Sequence, residues 1–272
     1  MRGNPRRTVA IVIALVVVLA VIGVVAYRAG RSHSATTPPS PSPTTQPSTL
    51  SPGPSDPSTA ASPSPSSTPQ PGLQRGTAAA GGGGRTTGPD GLPLGFPDTP
   101  DGAATAATNY LMWLNSFRIT DKAKADAMAQ AAAADTTART ALIHSCDEIR
   151  SGMHGLTADQ LQPARGAYAV ANYSRTDATI YVWAPEVTTE TDGTTTQLWA
   201  IDAVRVVWAG GDWKLGGELI AKVGGAASDP ADTAGNPTSA EKRAILTKVP
   251  SDPGDITDSA DQTWFEYANA AR

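Results

Sequence analysis

Asp202 is the residue of this sequence whose type and surroundings best suit acid–base chemistry. It interrupts the apolar run LWAIDAVRVV, and strand alternation places it on the same face as Val204 and Val206. A carboxylate among apolar neighbours has a raised pKa and can act as a general base. Tyr168 and Tyr181, on neighbouring predicted strands, would supply hydroxyl donors. The alternative is a salt bridge, or a strand kink that turns Asp202 outward.

The segment HSCDE offers a second set of reactive residue types, because His144 and Cys146 lie only two positions apart. Residues two apart on a helix project in nearly opposite directions, so these side chains cannot share a proton. We instead place Cys146 on a buried apolar stripe. As the only cysteine it excludes an intrachain disulfide, and His33 and His154 are too scattered for a metal triad. We expect no metal and no cofactor.

The composition limits how much of the chain can form a packed domain around these residues. With 26 Gly, 23 Pro and only three Phe among 272 residues, it cannot be packed throughout. A net charge of -4 argues against a nucleic-acid partner. The sequence divides into five regions: a short cytoplasmic tail (1–7), a transmembrane anchor (8–27), a disordered linker (28–90), an α+β domain (91–225) and a C-terminal linker with helices (226–272).

Residues 8–27 carry no charged side chain and are long enough to cross a membrane as a helix. Arginines precede this segment, and Arg28 and Arg31 follow it, so the charge bias across it is slight. The long stretch from Ser32 onward is nearly uncharged, which predicts a cytoplasmic N-terminus and an extracytoplasmic C-terminal domain. A cleaved signal peptide is the alternative, with Val24–Ala26 as the cleavage site. The apolar run is longer than the usual core of a signal peptide, which favours a retained anchor.

Residues 28–90 are rich in Pro, Ser, Thr and Gly, a composition typical of a disordered stalk with polyproline II character. Extended at about 3.1 Å per residue, the proline-rich part would hold a domain on the order of 100 Å from the bilayer. The run GGGGR (81–85) predicts a flexible joint at the end of this stalk.

Helical patterns come first in the domain. Thr99-Pro100-Asp101 has the residue types of a helix start, and an apolar stripe from Tyr110 to Phe117 follows it. Two further helices are predicted, from after Thr120 to about Ala134 and from about Thr137 to Arg150.

The period then changes from 3.6 to 2, which predicts strands. Helices followed by an antiparallel meander indicate an α+β fold with a four-stranded sheet. Asp192-Gly193 and Gly210-Gly211 mark two of its turns. The predicted strands are Gly166–Tyr173, Ala178–Val187, Thr195–Gly210 and Asp212–Ile220.

Two helices are predicted in the C-terminal region. One begins at Thr238 with a capping box to Glu241. The other follows Thr257 and places Trp264 and Tyr267 on one face. A terminal aromatic helix docks on its own domain or contacts a partner. The candidate partner-contact residues are Trp264, Phe265 and Tyr267.

The order of elements resembles the nuclear transport factor 2-like fold, a cone of curved antiparallel sheet around a long helix. The residues that carry the resemblance are Tyr110 and Trp113 on the first helix and the closing hairpin VRVVWAGGDWKL (204–215). The layout of tail, span, linker and cone is similar to inner-membrane assembly factors of type IV secretion and conjugation systems. Those factors lack the long proline stalk.

These observations predict a single-pass, membrane-anchored extracytoplasmic module that acts through protein contacts and is not an enzyme. The resemblance implies other envelope proteins as partners, for example those of a conjugation or secretion apparatus, and a homo-oligomer is compatible with it. The alternative is a cone that binds a small ligand or performs acid–base catalysis with Asp202.

Overall fold

A computed structural model describes residues 72–222, 236–247 and 262–270 of the chain. The predicted membrane span and most of the predicted stalk lie outside these residues. Within the described ranges, no helix has the length and apolar character needed to cross a membrane.

The described residues form an α+β fold with four α-helices and a mostly antiparallel sheet. Short 3₁₀ turns connect several elements. The helices are α1 (Pro100–Leu114), α2 (Lys122–Ala132), α3 (Thr136–Gly152) and α4 (Ser239–Leu246). The strands are β1 (Gln74–Arg75), β2 (Thr86–Thr87), β3 (Pro93–Leu94), β4 (Leu156–Leu161), β5 (Ala167–Tyr173), β6 (Asp177–Glu190), β7 (Thr195–Ala209), β8 (Asp212–Lys222) and β9 (Trp264–Glu266).

Each helix begins at a side-chain cap whose residue type can be identified from the sequence. Thr99 caps α1, with its hydroxyl accepting a hydrogen bond from the Gly102 amide at 3.0 Å and proline at the first helical position. Asp121 and Asp135 cap α2 and α3 in the same way. The capping box of Thr238 and Glu241 at the start of α4 is also present. The predicted starts of the helices are therefore confirmed to within two residues.

The main sheet has the strand order β1-β9-β5-β6-β7-β8, with β4 paired to the far end of β6. Neighbouring strands are antiparallel except β1 and β9. The closing hairpin of β7 and β8 turns at Gly210 and Gly211, which both have positive φ, as a two-residue turn between twisted strands requires. The four predicted strands and this turn are confirmed, but the sheet has seven strands rather than the predicted four, because β1, β4 and β9 also pair in it.

The sheet buries side chains on both faces. Its inner face packs against α1, α2 and α3 and includes Tyr168, Val182 and Val204. Its outer face holds a second cluster beneath α4. We call this cluster the outer-face aromatic cluster; its members are Ala167, Ala169, Tyr181, Trp183, Trp199, Ile201, Leu246 and Trp264.

Three sequence-based expectations need correction. The predicted last helix is instead the strand β9 over Trp264–Glu266; its predicted start lies outside the described residues. The strand β4 was not predicted, because its sequence LTADQL alternates only weakly. Residues 72–90, predicted as linker, pack on the domain, and Ala78 in this segment is fully buried.

Candidate functional site

Asp202 lies on β7 and is buried, with 6% of its surface exposed. It pairs across the sheet with Val182, whose other neighbour is Tyr168, so all three side chains share the inner face. Two strand spacings, ~10 Å, thus separate Tyr168 from Asp202. Tyr181 pairs with Ala203 and belongs to the outer face. The predicted triad of one carboxylate and two hydroxyls is therefore not assembled, and Asp202 has another interaction partner in the protein.

The hydroxyl of Tyr168 is committed to a different carboxylate. It donates to Asp101 Oδ1 at 3.1 Å, at the start of α1, and accepts from the Ala78 amide at 3.4 Å. Asp101 Oδ2 also accepts from the Thr77 hydroxyl. Burial raises the pKa of Tyr168 to about 12, so the phenol stays protonated and acts as a donor at neutral pH. This group joins β5, α1 and the segment around residue 77.

The prediction that Cys146 is buried is confirmed. Its side chain is fully buried on α3, and burial raises the pKa of the thiol to about 12. His144 lies on the exposed side of the same helix, where its Nε2 is 3.3 Å from Glu148 Oε1. The two residues therefore form no nucleophile–base pair.

The C-terminal aromatic residues are built into the fold. Tyr267 is fully buried, its hydroxyl is 2.9 Å from Thr108 Oγ1, and its ring lies 5.0 Å from that of Tyr168. Trp264 is 6% exposed in the outer-face aromatic cluster, and Phe265 is half-buried with its ring 5.8 Å from Tyr168. Trp264 and Tyr267 thus belong to the core of the described domain.

The segment that follows the proline-rich stalk is fastened by the C-terminal segment. β1 pairs in parallel with β9. Beyond it, the Gly76 amide donates to Glu266 O at 2.8 Å and the Ala268 amide donates to Ala78 O at 2.9 Å. We call residues 72–84 the stalk-proximal segment. Its main chain is held at several successive positions.

Two asparagines extend this fastening. Asn269 binds the main chain of Ala80 at both groups: Oδ1 accepts from the amide at 3.0 Å and Nδ2 donates to the carbonyl at 2.7 Å. Asn109 of α1 binds Gly82 in the same two-bonded manner, at 3.0 Å for each bond. Each side-chain amide donates one hydrogen bond and accepts one, as the main chain of a neighbouring strand would. The glycine run is therefore held at Gly82 and is not the free joint that the composition predicts.

The closing hairpin fastens the segment before α1. Asp212, 6% exposed, accepts hydrogen bonds from the amides of Gly95 at 2.9 Å and Phe96 at 2.7 Å. The next residue, Trp213, donates its indole N–H to Pro97 O at 2.9 Å. Tyr110 of α1 donates to the Trp213 carbonyl at 2.7 Å, and its pKa is raised by burial and then by the charge of Asp212. The Asp-Trp pair after the glycine turn thus has a structural role.

The outer-face aromatic cluster contains polar groups that sequence reasoning did not single out. The rings of Trp183 and Trp199 lie 4.4 Å apart, and the Arg165 guanidinium lies 5.7 Å from the centre of the Trp199 ring. Within the described residues neither indole nitrogen has a hydrogen-bond partner, although both are buried. The available sequence signal was spacing: Trp183 lies two residues from Tyr181 and Trp199 two from Ile201, so strand alternation places all four on one face.

The helix α4 covers this cluster and is attached by a buried ion pair. Lys242 is fully buried, and its Nζ lies 2.8 Å from Glu266 Oε1 on β9. In addition, Ser239 donates to and accepts from the main chain of Leu73. One end of the stalk-proximal segment therefore lies beside both α4 and the outer-face aromatic cluster. The described residues include no group of His, Cys, Asp and Glu side chains arranged to hold a metal ion.

Comparison with known proteins places the chain in one family. A family profile described as Domain of unknown function (DUF8175) matches residues 32–239, more than half of the chain. No curated protein and no solved structure matches the chain.

Proposed function

Because this chain belongs to the family of the Domain of unknown function (DUF8175), whose description assigns no activity, we propose a function from its own residues. It is a membrane-anchored extracytoplasmic module that acts through protein contacts. Residues 8–27 form the anchor, the proline-rich segment gives reach, and the α+β domain meets other envelope proteins. The domain has the cone shape of nuclear transport factor 2-like proteins and serves in an assembly such as a conjugation or secretion apparatus.

The observation that carries this proposal is the fastening of the stalk-proximal segment. A domain displayed on a long stalk is pulled at the residue where the stalk begins. Here that residue is followed directly by β1. Beyond β1, Asn269 and Asn109 each bind both the amide and the carbonyl of one main-chain residue. Tension along the stalk would act on several hydrogen bonds at once rather than on one contact. Such an attachment suits a module that stays folded while it is tethered and bound.

The long stalk supports the same conclusion. A tethered module gains effective concentration for partners within the reach of its linker, and loses it when the linker cannot span the distance. The 24 residues 37–60 include many of the prolines and, at about 3.1 Å per residue, contribute roughly 75 Å of that reach. An enzyme that acts on a freely diffusing small molecule gains nothing comparable from this length.

The test is a crosslinking experiment in intact cells. A photo-reactive amino acid replaces Phe117, a large apolar side chain that is 39% exposed. We expect crosslinks to another envelope protein that are lost when residues 37–60 are deleted. A matched variant with residues 37–60 replaced by a Gly/Ser sequence of equal length should retain most of them, because it preserves reach.

Two outcomes would count against the proposal. Crosslinks that persist at equal intensity after the deletion would show that reach is not used. Loss of cellular function in Asp202→Asn, at normal abundance and with the crosslinks intact, would favour a ligand-binding or catalytic cone instead.

A further inference from the structure

Two indole N–H groups of the outer-face aromatic cluster lack acceptors. Trp183 is fully buried and Trp199 is 1% exposed, and in the part of the chain that the structure describes neither Nε1 atom has a hydrogen-bond partner. A buried donor without an acceptor destabilises the folded state, so two such donors on one face favour the binding of a group that supplies acceptors. A group that supplies carbonyl oxygens and packs against indole rings would fit this description.

We propose that the proline-rich segment immediately before residue 72 binds to this face, with main-chain carbonyls accepting hydrogen bonds from Trp183 and Trp199. The prolines concerned are Pro63, Pro65, Pro69 and Pro71. This inference concerns a surface and its ligand, and it is independent of whether residues 8–27 cross a membrane.

Continuity of the chain supports this occupant. Leu73 packs against the outer-face aromatic cluster, and Pro71 is two residues before it. The proline-rich segment therefore starts at the rim of the face that has the unmet donors. In polyproline II conformation, the eleven residues from Pro63 to Leu73 span about 31 Å, which is ample to lie across neighbouring strands.

The chemistry of the two partners is complementary. A proline-rich chain in polyproline II conformation presents carbonyl acceptors and makes no internal hydrogen bonds. Indole rings offer a flat apolar surface and a single donor, the combination that recognises such chains in aromatic grooves. The domain already contains one such bond, since Trp213 Nε1 donates to the carbonyl of Pro97 at 2.9 Å.

The cover over Trp199 is of a kind that can move. Arg165 lies over the ring, and the contacts that hold it include hydrogen bonds to the side-chain amides of Gln162, Gln197 and Asn236. Contacts among such polar side chains rearrange far faster than a packed core does. The ligand therefore reaches Trp199 by displacing the Arg165 side chain, without unfolding the sheet.

The experiment uses the full chain in detergent micelles with ¹⁵N-labelled tryptophan, whose indole signals are assigned through single Trp→Phe variants. One variant has Pro63, Pro65, Pro69 and Pro71 changed to Ser. The matched control has four distal prolines changed to Ser: Pro38, Pro39, Pro41 and Pro43. The Trp213 signal reports that the domain remains folded.

We expect the indole proton signals of Trp183 and Trp199 to shift upfield in the proximal variant and to stay in place in the distal one. Addition of a peptide of residues 61–73 to the proximal variant should restore the original positions. Unchanged signals in the proximal variant, or equal shifts in both variants, would overturn the proposal. So would signals of the unaltered chain that change on dilution, since they would assign the ligand to another copy.

Discussion

Removal of the Asp212 carboxylate should strongly destabilise the domain. The two amides that it accepts from, those of Gly95 and Phe96, would lose their acceptor in a buried site, and Lys214 would lose an ion-pair partner at 3.0 Å. Hydrogen bonds to a charged group contribute about 1.5–3 kcal/mol each. Lys214 keeps its hydrogen bond to the Ala131 carbonyl, so the loss of its ion pair with Asp212 adds little to the destabilisation. We expect Asp212→Ala to lower the free energy of unfolding by about 3–5 kcal/mol.

The assay is urea unfolding of the full chain in detergent, followed by tryptophan fluorescence, with a thermal melt as a second measurement. A loss of that size corresponds to a melting temperature lower by roughly 6–20 °C for a domain of this size. Asp192→Ala is the matched control, because Asp192 also lies in a hairpin turn and accepts from the Thr194 amide at 2.8 Å, yet is exposed. Equal losses in the two variants would refute the reasoning that burial makes the Asp212 bonds strong.

Three other predictions concern Cys146, the topology and the C-terminal fastening. Because burial raises the pKa of the Cys146 thiol from 9.0 to about 12, stability should fall between these pH values, where only the unfolded thiol ionises; unfolding measurements should show a shallower fall in Cys146→Ala. Thr157→Cys places a thiol at an exposed position, so a membrane-impermeant maleimide should label this variant in intact cells, whereas the unaltered chain should stay unlabelled. A Thr157→Cys variant that is labelled only after the cells are lysed would place the domain in the cytoplasm. Asn269→Ala should speed hydrogen exchange of the Ala80 amide, with the Phe96 amide unchanged as the control.

Much of the fold follows from local sequence signals. Caps such as Thr99 act within one turn of helix, and the Gly210-Gly211 turn fixes the hairpin register through its own φ angles. These features depend on neighbouring residues, so a single sequence predicts them. The burial of Cys146 followed from helical spacing for the same reason.

The remainder depends on contacts between distant parts of the chain. The segment around Trp264 has the spacing of a helix, but its main chain satisfies its hydrogen bonds with Gln74–Arg75 and with Tyr168–Ala169. The glycine run looked unstructured because the group that holds it at Gly82 is the side chain of the distant Asn109, and Ala80, just before the run, is held by Asn269. Asp202 and Tyr181 were separated by the register of β6 and β7, which places them on opposite faces.

The position of β9 between β1 and β5 has a consequence for how the domain folds during synthesis. A nascent chain that has reached residue 222 contains every strand of the sheet except β9, and β1 has no strand partner until residues 264–266 have emerged. The pairing of Gln74 with Phe265 closes a loop of nearly the whole domain, a step that is slow because its entropic cost is met before its contacts form. The stalk-proximal segment is therefore the last part to be secured, after the helices and the β5–β8 meander are in place. A ribosome-bound chain would stay open at that end until residues 264–266 have left the ribosome.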